Sequence, residues 1–498
     1  MASKHVDVLI IGAGLSGIGA AYHLKKNCPE KTYALLEGRQ AIGGTWDLFR
    51  YPGIRSDSDM YTLGYSFKPW TDYSKIIADG HTIRSYIQET ARENGIDKKI
   101  SFGRKVLSAN WDSNSAQWAT VVENTATGEK ETWTSSFVIS CTGYYNYEAG
   151  YTPEFPGIKS FKGTVIHPQK WPENLDYSGK KVVIIGSGAT AVTLVPAMTD
   201  KAAHVTMLQR SPTYVASIPQ NDIISQGLRR FLPEMAVYRL GRTRNLGLQM
   251  GVYNLSMKRP KVVRRILLGQ VRAQVGKDYD MKHFTPQYNP WEERLCAVPN
   301  GDLFKVLRKG KASVVTDHID TFTEKGIKLK SGQELEADII ITATGLDLQL
   351  MGGMSLAVDG KAFDAPKAMN YKGIMFEDLP NFGMIFGYTN ASWTLKADIS
   401  SEFICRVIKR MDKTGARQVM PHNTDPTVTQ EPFVAMRSGY IQRAAGKLPR
   451  QGNKAPWRIY MNYALDLAML RFKSIEDGVL QFGNPQPKVS AKTAKAAA

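Results

Sequence analysis

The sequence predicts an α/β chain in which two units, each built on a parallel sheet, are nested, with a helical insertion in the second. Three observations predict it. A β-branched run closing on a glycine turn occurs twice, as Val6-Asp-Val-Leu-Ile-Ile-Gly12-Ala-Gly14-Leu-Ser-Gly17 and Val182-Val-Ile-Ile-Gly186-Ser-Gly188-Ala-Thr-Ala191, and each copy leads into a helical pattern. A strand that ends in Thr-Gly also occurs twice, Phe137 to Gly143 and Ala337 to Gly345. Glycine there permits the sharp turn that a crossing between units needs. Between 213 and 293 the pattern becomes helical, and cations such as Arg229, Arg230, Arg239, Arg259 and Arg265 punctuate the apolar positions.

Composition bounds the class. A chain of 498 residues has room for about three structural units. Apolar residues at 43% and charged residues at 22% exclude disordered, collagen-like and disulfide-scaffold chains. The four cysteines, Cys28, Cys141, Cys296 and Cys405, lie more than a hundred residues apart, so no metal site and no redox dithiol is expected from spacing. The longest apolar stretch, Val182 to Met198, contains Gly, Ser and Thr and reads as strand, turn and helix rather than a membrane span. The first residues enter a strand at once, which leaves no room for a cleaved leader, and a cytoplasmic protein is expected. With 64 Lys and Arg against 46 Asp and Glu, the net charge is +18, suited to phosphate-bearing cofactors or an anionic lipid surface.

In chain order, the first glycine motif is followed by the strand Tyr33 to Glu37. A period-two segment from Lys105 to Val122, a turn at Gly128 and the run Thr132 to Ile139 then read as an antiparallel meander. The second motif leads to the strand Val205 to Gln209, which ends on Arg210 and Ser211. The tail from Lys488 to Ala498, rich in Lys and Ala, reads as loose.

In a GxGxxG turn the first glycine makes the tight bend, the second admits a pyrophosphate to the backbone, and the third lets the helix pack on the strand. The phosphates then meet free N–H groups at a helix N-terminus. In the first copy Gly12, Gly14 and Gly17 fill these places, and Glu37 closes the next strand, where a carboxylate accepts the ribose hydroxyls of an adenosine. In the second copy Gly186, Gly188 and Ala191 fill them, and the strand ends on a cation and a hydroxyl suited to a 2′-phosphate. The expected architecture is therefore two nested Rossmann-like dinucleotide-binding domains, for FAD first and NADPH second. Residues 1–142 and 379–498 form the FAD domain, 143–212 and 294–378 the NADP domain, and 213–293 the helical insertion.

Two longer strings resemble a known family. Phe161-Lys-Gly163-Thr-Val-Ile-His167-Pro-Gln-Lys-Trp171-Pro172 and Gly43-Gly44-Thr45-Trp46-Asp-Leu-Phe-Arg-Tyr51-Pro52-Gly53-Ile-Arg-Ser-Asp57 resemble the two fingerprints of type I Baeyer–Villiger flavoprotein monooxygenases. The stretches Asp57 to Gly64, His283 to Trp291 and Gly387 to Asp398 are similar to the ethionamide monooxygenase subgroup. The resemblance implies an NADPH-consuming, FAD-dependent enzyme. Through a C4a-peroxyflavin it inserts one oxygen atom of O2 beside a ketone carbonyl, giving an ester or lactone, and it also oxidises sulfides. It implies Arg294 as the active-site cation and Asp57 as its partner carboxylate. Gly44, Thr45, Trp46, Asp57, Thr344 and Gly345 join the glycine motifs around the cofactors. His167 is implied to link the domains rather than to move protons, and Trp46 and Trp393 shape the pocket or pack in the core. Some family members carry Lys immediately before the active-site Arg. Here Glu293 stands there, which leaves more of the preference for NADPH to Arg210.

Alternatives stay open at this stage. One is a flavin monooxygenase acting mainly on sulfur or nitrogen, and a remote one is a non-catalytic dinucleotide sensor. A disulfide reductase lacks its paired cysteines. The expected partners are a small ketone or sulfide and O2, with no nucleic acid. The basic insertion is a candidate for peripheral contact with an anionic membrane. Oligomeric state and the identity of the ketone are not legible.

Overall fold

The computed structural model describes residues 4–434 and 438–485, so the tail expected to be loose lies outside the described residues. Two sheets organise the chain. The first has nine strands. Its centre is parallel: Ile100–Phe102, Tyr33–Glu37, Lys4–Ile11 and Lys130–Ser140 lie side by side, and Phe382–Met384 also pairs with the last of these. The expected meander is present, because Arg104–Asp112, Gln117–Asn124 and Lys130–Ser140 pair antiparallel in that order. Alternation along it turns Trp111 and Trp118 to one buried face, where the rings meet edge to face with centroids 5.7 Å apart.

The second sheet is wholly parallel, in the order Ala312–Thr316, His204–Gln209, Lys181–Ile185, Ile339–Thr342 and Thr164–Ile166. Its β-branched strands are buried on both faces, as parallel strands covered by helices require. Separate apolar cores form on the two sheets, one including Ile10, Leu24 and Phe403 and the other including Ile184, Leu194 and Ile341.

The chain returns to the first sheet earlier than the expected boundary near Leu379. Ser355–Val358 pairs parallel with Ser108–Trp111, and Lys361–Ala362 extends that edge. The sequence pattern does not separate this segment from the second unit because its strands are four and two residues long, too short to show a period.

The insertion carries helices Ile223–Leu228, Glu234–Lys258 and Pro260–Val275, as the cation spacing indicated. It also holds the strand Val215–Ile218, which pairs parallel with Cys296–Pro299 and ties its entry to its exit. Helix Leu15–Asn27 packs on Trp393–Thr414, joining the start of the chain to its last third.

The two Thr-Gly crossings run beside one another. Tyr145 and Leu348 form an antiparallel bridge, Gln349 N–H donates to Tyr144 O at 3.0 Å, and Asn146 Nδ2 donates to Asp347 Oδ2 at 2.9 Å. This paired ribbon is the seam between the two sheets.

Candidate functional site

Both glycine motifs open into one cavity of about 1250 Å³ along the seam. Gly12 has φ +103°, and a Cβ there would lie 2.7 Å from Cys141 O. Gly186 repeats this with φ +136° and a Cβ position 2.3 Å from Ala343 O. Each first glycine is thus seated under the carbonyl of the strand that ends in Thr-Gly, which explains why the two signatures recur together. A Cβ on Gly17 would fall 1.9 Å from Gly12 O, so this glycine serves the packing of helix on turn and does not line the cavity. Ala191 likewise is buried behind the second turn.

Gly14 and Gly188 immediately precede helices Leu15–Asn27 and Ala189–Met198, and neither helix has a side-chain cap. Their first N–H groups therefore face the cavity without a side-chain acceptor, as an anion site requires. A Cβ on Gly188 would meet nothing within 4 Å. Glu37 is buried at the cavity edge. It accepts from Ala13 N–H at 2.8 Å and Arg39 N–H at 2.9 Å, and each oxygen keeps a lone pair for a ribose hydroxyl. Burial pushes its carboxyl above the ordinary value, partly offset by those two N–H groups. An open helix end, a Cβ-free turn and an acceptor at the next strand end fit a dinucleotide in the first unit. An uncapped helix end, open space above Gly188 and a cation at the next strand end fit one in the second.

Gly44, Thr45, Trp46, Asp57, Thr344 and Gly345 all line the cavity. Gly44, at φ +56°, approaches Gly14 so closely that a Cβ would sit 3.0 Å from its Cα. Arg210 and Ser211 line the cavity at the end of the second motif's neighbouring strand, with Lys330, His318 and Asp317 also in the wall. Glu293 stands there too. Burial raises its carboxyl and the Arg210 charge draws it back down.

Arg294 and Asp57 come from opposite units. Arg294 Nη2 donates to Asp57 Oδ2 at 2.7 Å, with both side chains about one-third exposed into the cavity, 36% and 29%. Asp57 holds the guanidinium well above even its usual range, and the surrounding phenols of Tyr144, Tyr440 and Tyr145 add to this against the cost of burial. Burial in turn pushes Tyr145 and Tyr440 up to about 12, despite the Arg294 charge, so these rings stay protonated. Arg55, two residues before Asp57, pairs with Asp302 of the second unit and braces the same loop.

Trp393 stacks on Tyr144 with centroids 5.2 Å apart and donates from Nε1 to Ser16 Oγ at 2.7 Å. It therefore covers the cavity wall as well as packing. Tyr440 and Arg443, also in the wall, were not foreseen. Arg443 lies 3.6 Å over the Tyr151 ring. Nothing in the local pattern of 438–444 marks either residue, whereas Tyr144 and Tyr145 directly follow Thr142-Gly143 and were within reach of the Thr-Gly signal.

The residues of the Phe161 to Pro172 string stay out of the cavity. Phe161 is in a core beneath the second sheet, and a Cβ on Gly163 would lie 2.3 Å from Asp338 O. His167 accepts from Gln169 N–H at Nδ1, 3.2 Å, so its proton sits on Nε2, 3.3 Å from Gly345 O. Burial lowers its pKa and keeps the ring neutral. Gln169 donates from Nε2 to Asn146 O at 2.7 Å. Both side chains tie this segment to the paired crossings. Trp171 packs against the second core, and Pro172 is exposed. All four cysteines are free and buried, and the described residues contain no metal-binding cluster.

Comparison with known proteins places this arrangement. The family model for flavin-binding monooxygenase-like proteins matches residues 4–431. MymA of Mycobacterium tuberculosis is 56% identical over 485 residues, covering 96% of this chain and 98% of the relative. The FAD-containing monooxygenase EthA of Mycolicibacterium smegmatis is 52% identical over 99% of this chain and 100% of its own. Among solved structures, a steroid monooxygenase bound to NADP superposes with a TM-score of 0.71 at 22% identity, covering 84% of this chain and 88% of that one. The open form of cyclohexanone monooxygenase gives 0.71 at 20% identity, over 84% and 90%. These two show the shared fold. Matched over most of its length by the family model and more than half identical to such relatives end to end, the chain belongs to the flavin-binding monooxygenase-like family.

Proposed function

We propose that this chain is an FAD-dependent, NADPH-consuming Baeyer–Villiger monooxygenase that converts a ketone to an ester or lactone. One oxygen atom of O2 enters between the carbonyl carbon and its neighbour, and the other leaves as water. The single observation that carries the reading is the Arg294–Asp57 pair, which crosses the seam inside the cavity that both glycine motifs share. The relatives named FAD-containing monooxygenases and the NADP-bound structural neighbour support the cofactors.

Strand pairing supports a division in which, among the described residues, the FAD-holding unit contains residues 4–142, about 346–434 and 438–485. The NADP-holding unit contains 143–345, with the insertion inside it. Gly12, Gly14 and the N-terminus of helix Leu15–Asn27 hold the FAD pyrophosphate, and Glu37 its ribose. Gly186, Gly188 and the N-terminus of helix Ala189–Met198 hold that of NADPH. When bound, these two groups supply the reducing equivalents and the activation of dioxygen.

The chain supplies the electrostatics. Oxygen insertion builds negative charge on the carbonyl oxygen, and a fixed guanidinium in a site shielded from water stabilises that charge without reorganising. Asp57 keeps Arg294 in place and charged. Tyr144, Tyr145 and Tyr440 keep their hydroxyl protons and offer further donors, while Trp393 and Tyr144 exclude water from one wall. A sulfide needs no such oxyanion, so sulfoxidation in the same cavity is a second activity of this proposal.

Arg210 is assigned the 2′-phosphate. Arg210→Ala is expected to raise KM for NADPH about 10- to 100-fold, the loss of one charge-assisted contact, and to leave KM for NADH nearly unchanged. Steady-state kinetics with both coenzymes checks this, and an equal change in the two KM values would reassign the residue. The whole reading is tested by an NADPH-consumption screen of linear, cyclic, aryl and steroid ketones with an aryl methyl sulfide alongside, products identified by mass. A ketone yielding an ester one oxygen heavier supports it. NADPH turned wholly into hydrogen peroxide with every carbonyl overturns it, and sulfoxide without any ester shifts the main role to heteroatoms.

A further inference from the structure

Eleven of the fifteen large apolar side chains that stand exposed among the described residues fall between 223 and 266, in the insertion. They follow helix periodicity. Leu248, Val252 and Leu255 stand at i, i+4 and i+7 on the solvent side of Glu234–Lys258, Ile266 faces out from the next helix, and Ile223 and Phe231 are 79% and 83% exposed at the start. The three helices pack against one another in chain order. A soluble surface seldom shows so many large apolar groups together without a partner.

Charge selects the partner. Between 223 and 275 eleven Lys and Arg stand against one carboxylate, Glu234. Among the described residues no carboxylate pairs with Arg230, Arg239, Lys258 or Lys261, all exposed beside those apolar groups. Two copies meeting through this face would bring two such cation sets together, and like charges in a drying interface repel. An anionic lipid surface attracts the same cations while its acyl boundary receives the apolar side chains, the pattern of an interfacial helix. No helix among the described residues is long and apolar enough to cross a membrane, so the face seats on the surface.

We propose that the helical insertion docks the protein on an anionic phospholipid bilayer, with Ile223, Phe231 and the Leu248–Val252–Leu255 row entering the interface and the neighbouring cations meeting the headgroups. The insertion leaves and rejoins the cavity wall at Thr213 and Glu293, so docking places a lipid reservoir beside the pocket, whatever the reaction performed there.

The test is sedimentation of the full-length, FAD-loaded protein with phosphatidylcholine vesicles, with and without phosphatidylglycerol. The protein is expected to pellet only with the anionic vesicles. Ile223→Ser/Phe231→Ser, and separately Leu248→Ser/Val252→Ser, should each weaken partitioning by at least about tenfold, with circular dichroism and NADPH oxidation unchanged. Wild-type protein that stays in the supernatant overturns the proposal. So do apolar variants that pellet as well as wild type, which would mean contact by charge alone. A lipid-free dimer in sedimentation equilibrium that either double variant abolishes would assign the face to a second copy instead.

Discussion

Arg294→Ala is expected to lower ester formation by at least about a hundredfold while the protein stays yellow and continues to oxidise NADPH. The guanidinium donates to Asp57 at 2.7 Å and sits beside the phenols of Tyr144, Tyr145 and Tyr440, whereas the glycine turns are held by backbone contacts and Glu37. Removing it therefore leaves both dinucleotide cradles intact and takes away the cation that Asp57 fixes at the seam, so hydrogen peroxide should replace ester as the product. Sulfoxidation should fall less, because no oxyanion forms at sulfur. Arg294→Lys should recover only part of the ester rate, since an ammonium keeps the charge but not the planar fork that holds Asp57 and still presents donors to the cavity. The measurement is product analysis by mass beside NADPH and peroxide assays. Ester formed at the wild-type rate by the alanine variant would remove Arg294 from the chemistry.

Legibility follows the range over which a residue's role is decided. The two glycine turns and Glu37 were readable because strand, turn, helix and next strand lie within about 30 residues, and local spacing alone sets their geometry. Arg294 and Asp57 lie 237 residues apart, and nothing in either neighbourhood announces the other. Only the family strings joined them. Tyr440, Arg443 and Lys330 reach the cavity through tertiary packing and carry no local signature at all. The short strands at 355–362 were lost for the same reason: their pairing is decided by the exposed edge at Arg104–Asp112 and not by their own pattern. In the insertion, periodicity located the helices but treated its arginines as one population. One of them, Arg242, is buried.

Arg242→Leu is expected to destabilise the protein by about 3–5 kcal/mol, far more than loss of any exposed cation on the same helix. Arg242 is 9% exposed, and its Nη1 donates to Tyr61 O at 2.6 Å and Gly64 O at 2.8 Å, with Nη2 3.7 Å from Asp398. The approach is close because Gly241 precedes it; a Cβ there would lie 2.5 Å from the Tyr61 ring. Leucine fills the volume but leaves two buried carbonyls without that donor and a buried carboxylate short of one cation. Asp398 also contacts His23 at 3.3 Å and accepts from Ser66 N–H at 2.9 Å. Burial pushes its carboxyl up, but the His23 contact and the His23 and Arg242 charges outweigh this and hold it below the ordinary carboxylate value. A carboxyl held low in the folded state adds stability above its unfolded pKa and loses it as pH falls through the folded one. Without Arg242 the folded value rises, so the acid limb of the stability profile should begin at higher pH than in the wild type. Hydrogen exchange should show the first loss of protection in Met60–Leu63 and Glu234–Lys258, the two helices this side chain joins. Because Ser58 and Leu63 line the cavity beside Asp57, flavin retention should weaken with them. Urea unfolding at neutral and acid pH, with exchange followed by mass spectrometry, measures all three, and a variant as stable as wild type at both pH values would reduce Arg242 to a surface-like cation.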